Sequence, residues 1–129
     1  MTDDARRPGV ARRPYRRRLA AILAAAGIVP IVGTDHDDVI AGTAGNDVID
    51  GRKGYDKMSG GAGDDVYYAD RTGSKVDLVT EGAMAGYDTV YSSASYTLGS
   101  NVEELHLIGD DDLDGKGNSL ANMVIGNAG

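Results

Sequence analysis

The chain has 129 residues and a formal net charge of −7, from 13 Lys and Arg against 20 Asp and Glu. It holds 19 Gly and no Cys, Trp or Phe, so Tyr supplies every aromatic ring. This excludes a disulfide frame and thiolate metal sites, leaves a conventional core short of large apolar groups, and limits the chain to one domain plus a short extra segment.

The charge is unevenly spread. Residues 1–18 (MTDDARRPGVARRPYRRR) hold seven Arg against Asp3 and Asp4, whereas residues 19–129 hold six basic and eighteen acidic residues. An acidic body argues against nucleic acid as a partner, because binding that polyanion needs basic contacts. It argues for a cation. Residues 1–18 are Arg- and Pro-rich without apolar periodicity and read as a disordered N-terminus. Residues 19–32 (LAAILAAAGIVPIV) are apolar but too few to span a bilayer. They fit either a secretory signal peptide or an apolar cap on the residues from 33 onward.

Four nonapeptides come next: GTDHDDVIA (33–41), GTAGNDVID (42–50), GRKGYDKMS (51–59) and GGAGDDVYY (60–68). On one register the first position is Gly33, Gly42, Gly51 and Gly60, and the sixth is Asp38, Asp47, Asp56 and Asp65. The eighth is Ile40, Ile49, Met58 and Tyr67; the fourth is Gly45, Gly54 and Gly63, with His36 as the exception. A period this short builds stacked turns and not a globular core.

Residues 69–82 interrupt the period, and Gly86-Tyr87-Asp88-Thr89-Val90 then match positions four to eight. Residues 92–98 (SSASYTL) and 102–108 (VEELHLI) alternate apolar and polar groups and read as strands, with Gly99-Ser100-Asn101 suited to a turn between them. The register returns at Gly117, with Asn122 at position six and Val124 at position eight, and the chain ends inside a further unit, as a fragment would.

The pattern G-G-x-G-x-D-x-U-x resembles the repeats-in-toxin (RTX), or hemolysin-type, calcium-binding repeat. The resemblance is tight over 33–68 and loose over 69–129. It implies an all-β fold, a parallel β-roll or β-solenoid with additional strands C-terminal to the repeats, in which two nonapeptides make one turn. Asp38 then stacks over Asp56, and Asp47 over Asp65. Carboxylates about 5 Å apart repel by roughly 3 kcal/mol at an effective dielectric near 20, and a dication between them reverses the sign. Calcium accepts six to eight oxygens in a flexible shell, whereas magnesium demands a tighter octahedron and zinc prefers N and S donors.

The implied ligands are the side chains of Asp38, Asp47, Asp56 and Asp65, with Asp88 as a further candidate and the carbonyls of Thr43, Gly45, Gly54, Gly61 and Gly63 in support. Arg52, Lys53 and Lys57 place positive charge beside the third unit and should weaken binding there. Asp110 to Gly115 matches the start of an EF-hand loop, but the Glu that motif needs at its twelfth position is Ala121 here; an acidic turn is the better reading.

No G-x-S-x-G, H-E-x-x-H or P-loop motif is present. His36 and His106 read as surface and strand residues, and Asp77 and Glu81 as an ordinary carboxylate pair. No catalysis is expected from this chain. The expected role is a calcium-binding module of a secreted, extracellular bacterial protein that folds on calcium. Its partners are calcium and a neighbouring catalytic or adhesive domain, with no nucleic acid and no membrane span. A fragment of a calcium-dependent secreted enzyme (a metalloprotease or lipase), or of an adhesin or surface-layer protein, is the alternative.

Overall fold

A computed structural model describes residues 30–83 and 85–129. The basic stretch 1–18 and residues 19–29 of the apolar segment lie outside the described residues. Thirteen short strands and no helix make up the regular structure described, so no helix among the described residues is long and apolar enough to cross a membrane.

Each nonapeptide spends its Gly-rich part on a loop and its last three residues on a strand. The repeat strands are β1 (Ile31–Val32), β2 (Val39–Ala41), β3 (Val48–Asp50), β4 (Lys57–Ser59) and β5 (Val66–Ala69). Successive strands fall on alternate faces: β1, β3 and β5 pair in one parallel sheet, β2 and β4 in another. Ile31 lies beside Ile49, Ile49 beside Tyr67, and Ile40 beside Met58. Two nonapeptides therefore make one turn of a parallel β-roll.

The coil continues past the repeats with altered turn lengths. A two-stranded antiparallel hairpin, β6 (Arg71–Thr72) with β7 (Lys75–Val76), bulges out before β8 (Leu78–Val79) rejoins the second sheet beside β4. β9 (Thr89–Ser92), β11 (Glu104–Leu107) and β13 (Met123–Ile125) extend the first sheet to six strands in the order β1-β3-β5-β9-β11-β13. β10 (Tyr96–Thr97) and β12 (Gly115–Lys116) form a separate parallel pair. The segment 102–108 is a strand as its alternation suggests. The segment 92–98 is not one strand: Ser92 closes β9 and Tyr96–Thr97 is β10, because Ser92 Oγ takes the Ala94 amide and bends the chain. Asn101 makes the turn between the two segments in a left-handed backbone (φ 67).

Alternation along three-residue strands sends one side chain inward per strand. Ile49, Tyr67, Val90 and Leu105 follow one another down the first sheet, and Met58 and Val79 down the second. These six, with Tyr96, Leu98, Val102 and Leu107, fill the space between the sheets. Outside the first sheet, Tyr68, Tyr91 and His106 stack ring on ring, with centroids 5.5 and 4.5 Å apart.

Close stacking makes two glycines irreplaceable for different reasons from a third. At Gly54 and Gly63 (φ 100 and 99) a Cβ would sit 2.5 Å from the carbonyl oxygens of His36 and Gly45 in the turn before. Gly73, at the tip of the β6–β7 hairpin (φ 63), has open space around it. Gly73→Ala should therefore cost only the left-handed backbone penalty, about 1–2 kcal/mol. Gly63→Ala should cost distinctly more, since main chain must move. Urea denaturation of both variants in calcium checks this; equal losses would refute the stacking argument.

Candidate metal centre

The sixth-position aspartates lie where the chain leaves a loop and enters a strand. Backbone amides there have no sheet partner, and a buried amide must find an acceptor. The aspartate of the next turn supplies it. Asp38 N donates to Asp56 Oδ1 and Asp47 N to Asp65 Oδ1, each at 2.8 Å across 18 residues. Both ladders run on beyond the repeats. Asp56 N donates to Asp77 Oδ1 across 21 residues, Asp65 N to Asp88 Oδ1 across 23, and Asp88 N to Glu103 Oε1 across 15. One edge of the coil thus carries Asp38, Asp56 and Asp77, and the other Asp47, Asp65, Asp88 and Glu103.

The second oxygen of each aspartate separates the units into two kinds. Asp38 Oδ2 accepts the Thr34 amide and Asp47 Oδ2 the Thr43 amide, both at 2.7 Å, and each Thr hydroxyl also donates to the same carboxylate. The third and fourth units carry Arg52 and Gly61 where the first two carry Thr. Arg52 stands at φ 65, and its amide goes instead to Asp50 Oδ1. Asp56 Oδ2, Asp65 Oδ2 and Asp88 Oδ2 are buried without a hydrogen-bond partner. All three residues are fully buried.

Burial lifts these acids well above the usual carboxylate range. Asp56 stands at about 6, pushed up by desolvation, held back by the Asp38 amide and raised again by Asp77. Asp65 reaches about 7 and Asp88 about 8; desolvation leads in both, with Asp88 charge acting on Asp65, and Glu81 acting on Asp88. Desolvation also raises Asp77 and Glu81. Buried carboxylates this close stay ionised together only if positive charge joins them.

The donors offered to such a charge are all oxygens. Hard cations of the calcium type take carboxylate and carbonyl oxygens in adaptable numbers. The carbonyls of His36, Gly45 and Gly63 face the fourth-position glycines of the following turns, while that of Thr43 faces Gly61. The Gly54 carbonyl differs, since it accepts the Thr72 hydroxyl at 3.0 Å. No imidazole joins the edges: His36 is exposed, and His106 is stacked on Tyr91 and paired with Glu104. Arg52, Lys53 and Lys57 are exposed. Asp110, Asp111 and Asp112 lie in an exposed bend before β12, with no helix on either side.

Two members of the ladders, and one acid beside them, escape the strict nonapeptide register. Asp77 and Glu103 occupy sixth-position places in irregular turns, and Glu81 stands near Asp65 and Asp88. The signal for two of them is a tripeptide, not the glycines. Asp77-Leu78-Val79 and Glu103-Glu104-Leu105 repeat the acid-x-apolar step of Asp65-Val66-Tyr67. Position five also matters: Asp37, Asn46 and Asp64 side chains accept the amides of Tyr55, Asp64 and Tyr87 in the next turn.

Asn in place of Asp keeps an amide acceptor and removes the charge. Asp65→Asn should therefore leave the β-roll intact in calcium and weaken ion uptake on the order of tenfold or more, about 1.4 kcal/mol per decade. Asp47→Asn should do less, because Thr43 already holds both Asp47 oxygens. Isothermal titration with calcium compares the two; equal losses would sink the distinction.

Residues 32–70 match the RTX calcium-binding nonapeptide repeat in four copies. No curated protein and no solved structure matches the chain. The matched stretch covers the four units whose aspartates begin both ladders, so the chain carries a calcium-binding module of the RTX type.

Proposed function

We propose that this chain is a calcium-triggered folding module of a secreted bacterial protein, acting outside the cell to order and present a neighbouring catalytic or adhesive domain. The observation that supports it most is the set of buried, unpartnered oxygens on Asp56, Asp65 and Asp88. Without a cation those acids either take up protons or repel one another, and both oppose closure of the loops at neutral pH. With calcium, ion binding and loop closure become one event. Export fits this chemistry: extracellular calcium modules work at about 10⁻⁴–10⁻³ M ion, a level that would keep the loops open inside a cell and close them outside.

The module does no chemistry of its own in this reading. Its acids serve as amide acceptors and ion ligands, while His36 is exposed and His106 is stacked on Tyr91. The fragment reading, in which these residues belong to a larger secreted enzyme or adhesin, is the same proposal seen from the neighbouring domain.

Circular dichroism across a calcium titration tests the coupling. The expected result is a gain of β signal over the titration, reversal by EGTA, and little response to magnesium at the same concentration. A spectrum indifferent to both calcium and EGTA would overturn the proposal.

A further inference from the structure

The strongest unexplained feature lies just past the matched repeats. Glu81 follows β8, whose residues Leu78 and Val79 pair with Lys57 and Met58. Thr80 continues that register by donating to the Met58 carbonyl at 2.9 Å, which brings Glu81 level with Gly60. In the repeats this place cannot hold a side chain. A Cβ on Gly60 would lie 2.2 Å from Asp65 Oδ2 and 2.6 Å from the Tyr67 hydroxyl. Glu81 is accommodated because its loop is longer. The ladder offset grows from 21 residues at Asp56–Asp77 to 23 at Asp65–Asp88, so two extra residues enter between Glu81 and Asp88.

The consequence is three acids in one buried space. One carboxylate oxygen each from Asp65, Glu81 and Asp88 lie within 4.8 Å of one another. Asp65 and Asp88 are fully buried and Glu81 is 6 % exposed. The Oδ1 atoms of both aspartates are occupied by ladder amides. Their Oδ2 atoms have no hydrogen-bond partner, and both oxygens of Glu81 are buried without a well-formed one, although the Tyr67 hydroxyl and the Gly61 amide lie close by. An unsatisfied buried charge is costly, and three this close stay ionised together only with a counter-ion. The Tyr67 hydroxyl offers Glu81 one donor, and the ionised carboxylates themselves only accept, so the cluster closes either by taking up protons or by holding a cation.

We propose that Asp65, Glu81 and Asp88 form a separate divalent-cation site, built from three carboxylates at the point where the nonapeptide period breaks. The donors are hard oxygens, with no nitrogen or sulfur among them, which selects calcium over zinc. The site differs from those of the repeats in having a carboxylate where each repeat carries its first glycine. It ties the last matched unit to the irregular coil beyond it. The inference rests on the calcium-module reading, and it adds one ion and one ligand, Glu81, that the repeat pattern does not contain.

The test compares the full chain with Glu81→Gln by isothermal titration with calcium. The expected result is an ion count lower by about one in Glu81→Gln, with the β signal in calcium retained, since Gln fits the same space. Equal counts and equal affinities would overturn the site and leave the module reading standing. A wild-type chain that takes up no calcium at all would overturn the module reading itself, and this site with it. Should Glu81→Gln fail to fold, crystals of the wild-type chain grown with terbium decide. An anomalous peak between the three carboxylates supports the site, and its absence there overturns it.

Discussion

A carboxylate that accepts the amide of the neighbouring turn is the contact on which the rest of this structure depends. Where the chain crosses from one sheet to the other, loop amides have no ladder partner, and burying them unpaired would cost roughly 1–3 kcal/mol each. The sixth-position aspartate meets that need with one oxygen, and so fixes the stacking of turn on turn. The same act holds the other oxygen inside the coil. Structural support and the offer of an oxygen to an ion are thus two ends of one side chain.

What becomes of the second oxygen depends on one neighbouring residue. Thr34 and Thr43 clasp the carboxylates of Asp38 and Asp47 through amide and hydroxyl together. Past them the clasp is missing, and the oxygens of Asp56, Asp65 and Asp88 stand unpartnered in a buried setting. The apolar core thickens over the same interval, from half-buried Ile31 and Ile40 to fully buried Tyr67, Val90 and Leu105. Demand for a cation is thus concentrated in the middle of the coil, where desolvation is greatest.

Short stacked units of loop and strand are legible in the spacing of glycine and aspartate, whereas the parallel roll and its two-nonapeptide turn are what the resemblance to the RTX repeat implies and the strand pairing shows. Beyond residue 68 the glycines thin out and legibility drops. The 69–82 stretch reads as an interruption, yet Asp77-Leu78-Val79 holds full register with Asp56-Lys57-Met58, the surplus being expelled as the β6–β7 hairpin. The acid-x-apolar step persists, because the acid serves the ladder and the apolar residue the core, whereas glycine is needed only where turns touch. Glu81 is hidden for another reason. Its role comes from a register shared with Gly60, 21 residues back along the chain as for Asp56 and Asp77, and no local pattern reveals that. A long side chain at a glycine place is intelligible only once the longer loop beside it is seen.

The far end of the coil solves the same problem without charge. Asn122 takes the sixth position, and its Oδ1 accepts the Asn118 amide at 2.7 Å, as Asp38 accepts that of Thr34. Its Nδ2 donates to the carbonyls of Val102 and Glu103. Asn118 and Asn127 likewise bridge carbonyls of the preceding turn, at Gly99 and Val102 and at Gly109 and Asp111. An Asp at the place of Asn122 would set acceptors against the carbonyls of Val102 and Glu103 and would need a proton or a cation between them. A carboxamide carries both halves of the contact, acceptor and donor, in one neutral group. The unclasped Asp56, Asp65 and Asp88 therefore mark where this coil leaves buried oxygens open to an ion, and Asn122 marks where a neutral group makes the contact between turns.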